Sequence, residues 1–321
     1  MPESEAENAR LGTRVDGVDV LGALSPSRAG DFKSCPLLYR FRTIDRLPEQ
    51  PSAAAARGTV VHKVLEDLFD VPAPERTPER AVALLPDAWA HVAALEPERS
   101  ALFATDGSED ERAWLDSCAE ALRVYFSLED PSRLEPAARE LYLESLLESK
   151  LLLRGYVDRL DVAPDGAIRV VDYKVARAPA EGFEARALFQ LKFYALLIWR
   201  TRGVIPKMLR LMYLASGEMV SYEPDELDLV ATRRQVEAIW DAIQLAQTTG
   251  DWQPNKSVAC SWCSFKDLCP AWGGTPPPLP EPVPQVVDAE PRKGVDEDPS
   301  LLLQDRDVVG HDQDGAARGL G

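Results

Sequence analysis

The chain has 321 residues, 45% of them hydrophobic and 28% charged, with a net charge of −17. That size and balance fit a globular protein of one large or two small domains. No apolar run approaches the roughly 20 residues of a membrane span. The polar stretch from Met1 to Arg14 lacks the apolar core of a secretory signal, so a cytoplasmic location is expected.

The charge is unevenly placed. From Ala271 to Gly321 there are ten acids and four bases, a balance of −6. Ser25 to Lys63 holds seven bases and three acids, or +4, and Lys174 to Arg210 holds eight and two, or +6. Phosphate binding depends on local fields of this kind rather than on the total.

In chain order, Met1 to Gly22 reads as a loose leader. Ser25 is suited to cap a short helix, with Pro26 at its first position. Pro36 places Cys35 at a turn or at the start of another short helix. Arg57-Gly58-Thr59 opens the next helix, whose apolar stripe is Val61, Val64, Leu65 and Leu68. His62 and Glu66, four apart, share a neighbouring face. Residues 78 to 130 read as helices broken by Pro86, Pro97 and Pro131, forming a helical insertion. Trp114, Leu115, Cys118, Leu122 and Tyr125 make one stripe there, and Cys118 reads as a small buried hydrophobe.

Residues 139 to 174 read as a strand followed by a hairpin that turns at Pro164-Asp165-Gly166. Leu188 to Arg200 is a helix apolar nearly all round, hence buried. Strands are expected at 209–214 and 219–222. An amphipathic helix follows from Asp225 to Thr248, with Val236, Ile239, Trp240 and Ile243 inward. Beyond Gly273 proline, glycine and acids dominate, as in disordered segments.

Two places carry chemistry. Asp172 and Lys174 are two apart on a strand and so share a face, and the hairpin returns Asp158 beside them. Hydrolysis of a phosphodiester needs relief of negative charge and an activated water, and a divalent ion supplies both. Magnesium favours oxygen ligands. Asp158 and Asp172 are the candidates, with the carbonyl of Tyr173 as a third oxygen and Lys174 to orient water or neutralise charge. Asp161 reads as a solvated loop acid. The second place is Cys260-x2-Cys263-x5-Cys269, whose spacing points to a metal or an iron–sulfur cluster. Disulfides are not expected in a reducing cytoplasm.

The ordered set of motifs resembles the PD-(D/E)XK nucleases, specifically the RecB-like exonuclease family and its iron–sulfur branch. That branch includes the AddB nuclease domain and CRISPR-associated spacer-acquisition nucleases. The matching residues are Ser25-Pro26-Ser27, Cys35-Pro36, Arg57-Gly58, His62, Glu66, Gly155-Tyr156-Val157-Asp158-Arg159, Asp172-Tyr173-Lys174, Gln190-x3-Tyr194 and the three late cysteines. They span Ser25 to Cys269, about three quarters of the chain.

The resemblance implies a restriction-endonuclease-like α/β fold: a mixed β-sheet flanked by helices, with a helical insertion near 72–135. The nuclease domain would cover 23–272, between the 1–22 leader and a disordered acidic tail at 273–321. The resemblance also implies Mg2+ or Mn2+ held by His62, Asp158, Asp172 and Tyr173, with Lys174 assisting the water. Gln190 and Tyr194 would steady the site and contact the DNA backbone. Cys35, Cys260, Cys263 and Cys269 would hold a [4Fe–4S] cluster, zinc being the alternative. The expected activity is DNA cleavage, as an exonuclease on single-stranded ends in repair or recombination.

Two departures stand out: Val175-Ala176 follow the lysine where relatives carry Thr-Gly, and Asp172 stands where many have Glu. No Gly-x4-Gly-Lys-Ser/Thr loop is present, so the chain supplies no helicase motor of its own. The rival readings are a DNA-binding module that has lost catalysis and a subunit whose acidic tail recruits a helicase or recombination partner.

Overall fold

A computed structural model of the chain describes residues 14–15, 18–103, 107–179 and 185–280. The tail beyond 280 and the leader before 14 lie outside the described residues, but residues 273–280, expected to be part of the disordered tail, are described, and the Pro277 carbonyl there accepts from Arg40.

The leader reading needs correction at its end. β1 (Arg14–Val15) pairs antiparallel with β2 (Val18–Asp19), and β3 (Gly22–Leu24) is already a sheet strand with Ala23 and Leu24 fully buried. Ser25 caps α1 (Pro26–Ser34) by accepting from the Arg28 amide, with Pro26 in the first turn. Cys35 ends that helix and precedes α2 (Pro36–Tyr39) and a π-helical turn at Arg40–Ile44.

α3 runs Ala53–Leu68. It therefore starts four residues before Arg57, because Ser52 accepts from the Ala55 amide and the run of four alanines favours helix. α4 (Pro78–Ala83), α5 (Leu85–Leu95), α6 (Pro97–Ser100) and α7 (Gly107–Leu128) follow, with Pro78, Pro86 and Pro97 all in first turns. Proline there forfeits no helical hydrogen bond. The Trp114, Cys118, Leu122 and Tyr125 stripe packs with Val60, Val64 and Leu65 of α3 in one core.

The strands β4 (Ala138–Leu146), β5 (Leu151–Val162), β6 (Ile168–Lys174), β7 (Met208–Tyr213) and β8 (Glu218–Tyr222) join β3 in a six-stranded mixed sheet. Its path is β3-β5-β6-β7-β8, with β4 also on β5. α8 (Ala185–Arg202) and α9 (Glu226–Thr249) flank it, and α9 starts with a capping box at Asp225. Val236, Ile239, Trp240 and Ile243 are buried on α9, as their spacing requires.

β5 organises the rest. One edge pairs with β4 over nearly its whole length. The other edge is shared: β3 takes Leu151–Leu153 and β6 takes Arg159–Val162. Between those partners the strands part, and Asp158 stands at the parting. Among the described residues no helix is long and apolar enough to cross a membrane.

Candidate active site

Divergence of β5 and β6 leaves backbone groups that a continuous ladder would have paired. The last ladder pair is Arg159 with Val171. One step on, the Tyr173 amide donates instead to Asp158 Oδ2 at 2.7 Å. The Tyr173 carbonyl accepts from His62 Nε2 at 2.9 Å. The backbone N–H and C=O of one residue at the end of a sheet pairing are thus satisfied by two site side chains, which meets the demand that buried backbone groups be bonded.

His62 reaches the sheet from the middle of α3. A carbonyl can only accept, so Nε2 is the donor in this bond and Nδ1 is the ring nitrogen left to face Asp158. Nδ1 lies 3.5 Å from Asp158 Oδ2.

Asp172 and Lys174 do share a face. Lys174 Nζ is 2.6 Å from Asp172 Oδ2, an ion pair outside hydrogen-bond alignment that leaves this buried oxygen without a hydrogen-bond partner. Gln190 on α8 ties the two together: its Oε1 accepts from Lys174 at 2.9 Å, and its Nε2 donates to Asp172 Oδ1 at 2.9 Å and to the Tyr194 hydroxyl at 3.0 Å. Gln190 therefore holds the acid and the lysine by direct bonds, and Tyr194 in turn holds Gln190.

Burial pushes the Asp172 carboxyl up to about 6, the charge of Asp158 adds to this, and Lys174 opposes it. Burial works against the Lys174 ammonium too. Asp172 and Asp158 outweigh it and hold the lysine above its ordinary range, hence charged.

Gly155 makes room for this arrangement. A Cβ there would sit 2.8 Å from the Tyr194 ring. Gly155→Ala should push Tyr194 off Gln190, lower urea stability by about 1–3 kcal/mol as overpacking does, and weaken cleavage. An unchanged unfolding midpoint would show that the ring yields freely.

Glu140 joins the site unforeseen. One ligand atom each from His62, Glu140 and Asp158 lie within 4.8 Å of one another. Glu140 has φ +44, a left-handed conformation uncommon outside glycine and costly unless its surroundings enforce it. It sits on β4 between ladder pairs Arg139–Arg159 and Leu141–Val157, level with Asp158. An imidazole nitrogen and two carboxylates make this an oxygen-rich donor set; Asp172 lies outside the three-residue group, near enough for the charge of Asp158 to act on it. Mg2+ or Mn2+ would complete such a set with water and substrate oxygens.

One expectation changes. Asp161 is no solvated loop acid: it lies on β5, ion-paired to Arg159 at 3.0 Å and to Arg169 at 2.7 Å. The Tyr173 carbonyl already has a partner in His62. Glu66 lies beside Lys63 at 3.2 Å, an ion pair on the exposed side of α3. Arg57, on the same helix, donates to the Val175 carbonyl at 3.3 Å, which fixes the chain just past Lys174.

The four cysteines expected to act together line one cavity of about 60 Å³ with Phe41, Phe265 and Trp272. This is several times the roughly 10–15 Å³ that one water occupies by the same measure. The Asn255 amide donates to Cys35 Sγ and the Ser257 amide to Cys260 Sγ, both at 3.4 Å. Burial raises the Cys263 thiol, and Cys260, Cys35 and Cys269 are near enough to add to the rise. Cys118 is buried in the helical core, apart from this group.

The chain belongs to the PD-(D/E)XK nuclease superfamily, whose profile matches residues 23–270. It is 27% identical over 196 residues to the Gene 69 protein of Mycobacterium phage D29, covering 56% of this chain and 70% of that protein. In fold it is similar to a candidate exonuclease from Eubacterium rectale, with a TM-score of 0.50 and 14% identity over 81% of this chain and 91% of the other.

Proposed function

We propose that this protein is a Mg2+- or Mn2+-dependent deoxyribonuclease acting as an exonuclease on single-stranded ends in repair or recombination. The convergence of Asp158, Asp172 and Lys174, with His62 and Glu140 beside them, carries this reading. His62, Glu140, Asp158 and Asp172 would hold the divalent ion, which supplies charge relief at the phosphate and acidifies water. Lys174, charged and fixed by Gln190, places a donor where negative charge grows on the phosphoryl group. Gln190 and Tyr194 keep the Asp172 carboxylate aimed. The basic stretches on either side favour approach of a polyanion despite the acidic total.

End-labelled single and double strands with Mg2+, Mn2+ or chelator test the activity. Metal-dependent shortening of single strands, read at each end by product length, is the expected result. A chain that binds these strands without cutting them under any metal would favour the binding-module alternative instead.

The cysteine-lined cavity supports a second element of the proposal, a [4Fe–4S] cluster held by Cys35, Cys260, Cys263 and Cys269. Backbone N–H groups aimed at Cys35 and Cys260 suit ligand thiolates. The cluster would tie the α1–α2 corner to the segment after α9. Anaerobically purified protein should be brown, with absorbance near roughly 400 nm from thiolate-to-iron charge transfer. Cys35→Ser should bleach it and lower the melting temperature; colourless wild-type protein carrying one zinc would overturn the assignment. An acidic-tail contact with a helicase or recombination partner belongs to the same proposal and is tested by pull-down after deletion beyond Gly273.

A further inference from the structure

We infer that Tyr173 is a positioning residue: a buried charge cluster on the far face of the sheet grips its phenol and thereby sets His62 and Asp158 for the metal. This rests on the metal-site reading above.

The connection is continuous. Arg159 is fully buried and holds Glu129 through two bonds, at 2.5 and 3.0 Å, and Asp161 at 3.2 Å. Its NH1 also donates to the Tyr173 hydroxyl at 2.8 Å. Arg169 closes the cluster against Asp161. Tyr173 brings its hydroxyl into this cluster while its backbone N–H and C=O meet the candidate ligands. The Tyr173 N–H holds Asp158 and the Tyr173 C=O holds His62.

Two consequences follow for this chain. Nε2 of His62 is engaged by the Tyr173 carbonyl, so Nδ1 is the ring nitrogen left to face the ion. Asp158 accepts the Tyr173 amide through Oδ2, which restricts rotation of its carboxylate. A metal site whose ligands are oriented by hydrogen-bonded neighbours typically loses about 10–100-fold in affinity when a neighbour is removed. Here the neighbour is one residue whose N–H and C=O, in successive peptide groups, serve two ligands, and the phenol is the handle by which the fold holds it.

The test compares Tyr173→Phe with Tyr125→Phe in the full chain. Tyr125 belongs to the same cluster, with its hydroxyl donating to Glu129 at 3.0 Å, but its backbone lies on α7, away from the site. Both changes delete one cluster hydroxyl, so both register any general loosening. Mn2+ titration followed by calorimetry or by the loss of the free-ion paramagnetic signal gives the affinity without turnover. Tyr173→Phe is expected to weaken Mn2+ binding about 10-fold or more. Tyr125→Phe should bind as wild type. Cleavage by Tyr173→Phe should recover at high Mn2+, with kcat restored. Equal Mn2+ affinity in Tyr173→Phe and wild type would overturn the positioning role while leaving the site reading intact. Equal weakening in both variants would overturn it too, in favour of general loosening. Wild-type protein that takes up no Mn2+ would instead sink the metal site itself.

Discussion

At pH 7 and limiting magnesium, Lys174→Ala should lower DNA cleavage by at least about 10²–10³-fold, the usual loss when one preorganised donor to a charged transition state is removed. The variant loses more than a donor. Asp172 is raised to about 6 by burial, with Asp158 pushing the same way and Lys174 pulling back. A carboxyl with a raised value takes up its proton as pH falls through that value, and the protonated form is a poor ligand. Wild-type rate at limiting metal should therefore fall below about pH 6. Without Lys174 the restraint disappears and the same fall should occur at higher pH. Excess magnesium should move both limbs toward acid, because the cation competes with the proton for Asp172. Lys174→Arg, which keeps the charge, should retain the wild-type limb while losing rate through misplaced geometry. A rate profile for Lys174→Ala that overlays wild type would show that this lysine is no part of the chemistry.

How far the sequence reveals the site depends on which contacts are local. Asp172 and Lys174 share a face because strand side chains alternate, and the Asp165-Gly166 turn returns β5 beside β6. Those facts are written in adjacent residues. Glu140 is not legible in the same way. It meets Asp158 only through the β4–β5 register, and that register is set by the turn around Leu147–Lys150. Lys150 adopts φ +63 there, where a glycine or asparagine would have announced the geometry. With no such signal, a one-residue slip would send Glu140 to the other face. Asp161 misleads for a related reason. By sequence it borders a loop, yet the strand continues through it to Val162. It then meets Arg159 and Arg169, a pairing visible only once the sheet is built. The helix at Ser52 is a plainer lesson: a serine followed by four alanines outweighs the glycine at 58 as a starting point.

Arg159→Met should cost about 3–5 kcal/mol of folding stability, the range for breaking one half of a buried ion pair. Glu129, with its side chain 7% exposed, and Asp161, at 14%, would then retain Arg169 as their ion-pair partner, at 3.7 and 2.7 Å, with the Tyr125 hydroxyl still donating to Glu129. Urea midpoints at constant m-value measure the loss. Its pH dependence separates charge from packing. Burial alone would raise the Glu129 carboxyl, but its bonds to Arg159 overcome burial and hold it below the ordinary glutamate range. A depressed carboxyl contributes stability above its unfolded value, near 4.5, and surrenders it as pH falls through the folded value. In Arg159→Met burial wins instead, the carboxyl rises, and protonation relieves the variant as the medium turns acid. The gap between the two proteins should therefore narrow steadily from pH 7 to about pH 4. Adding Glu129→Leu to Arg159→Met removes the stranded charge and should recover a large part of the loss, a coupling that a double-mutant cycle reads directly. A gap that stays constant across that pH range, with no recovery in the double variant, would mean that Arg159 fills space in the core and that its charge contributes little.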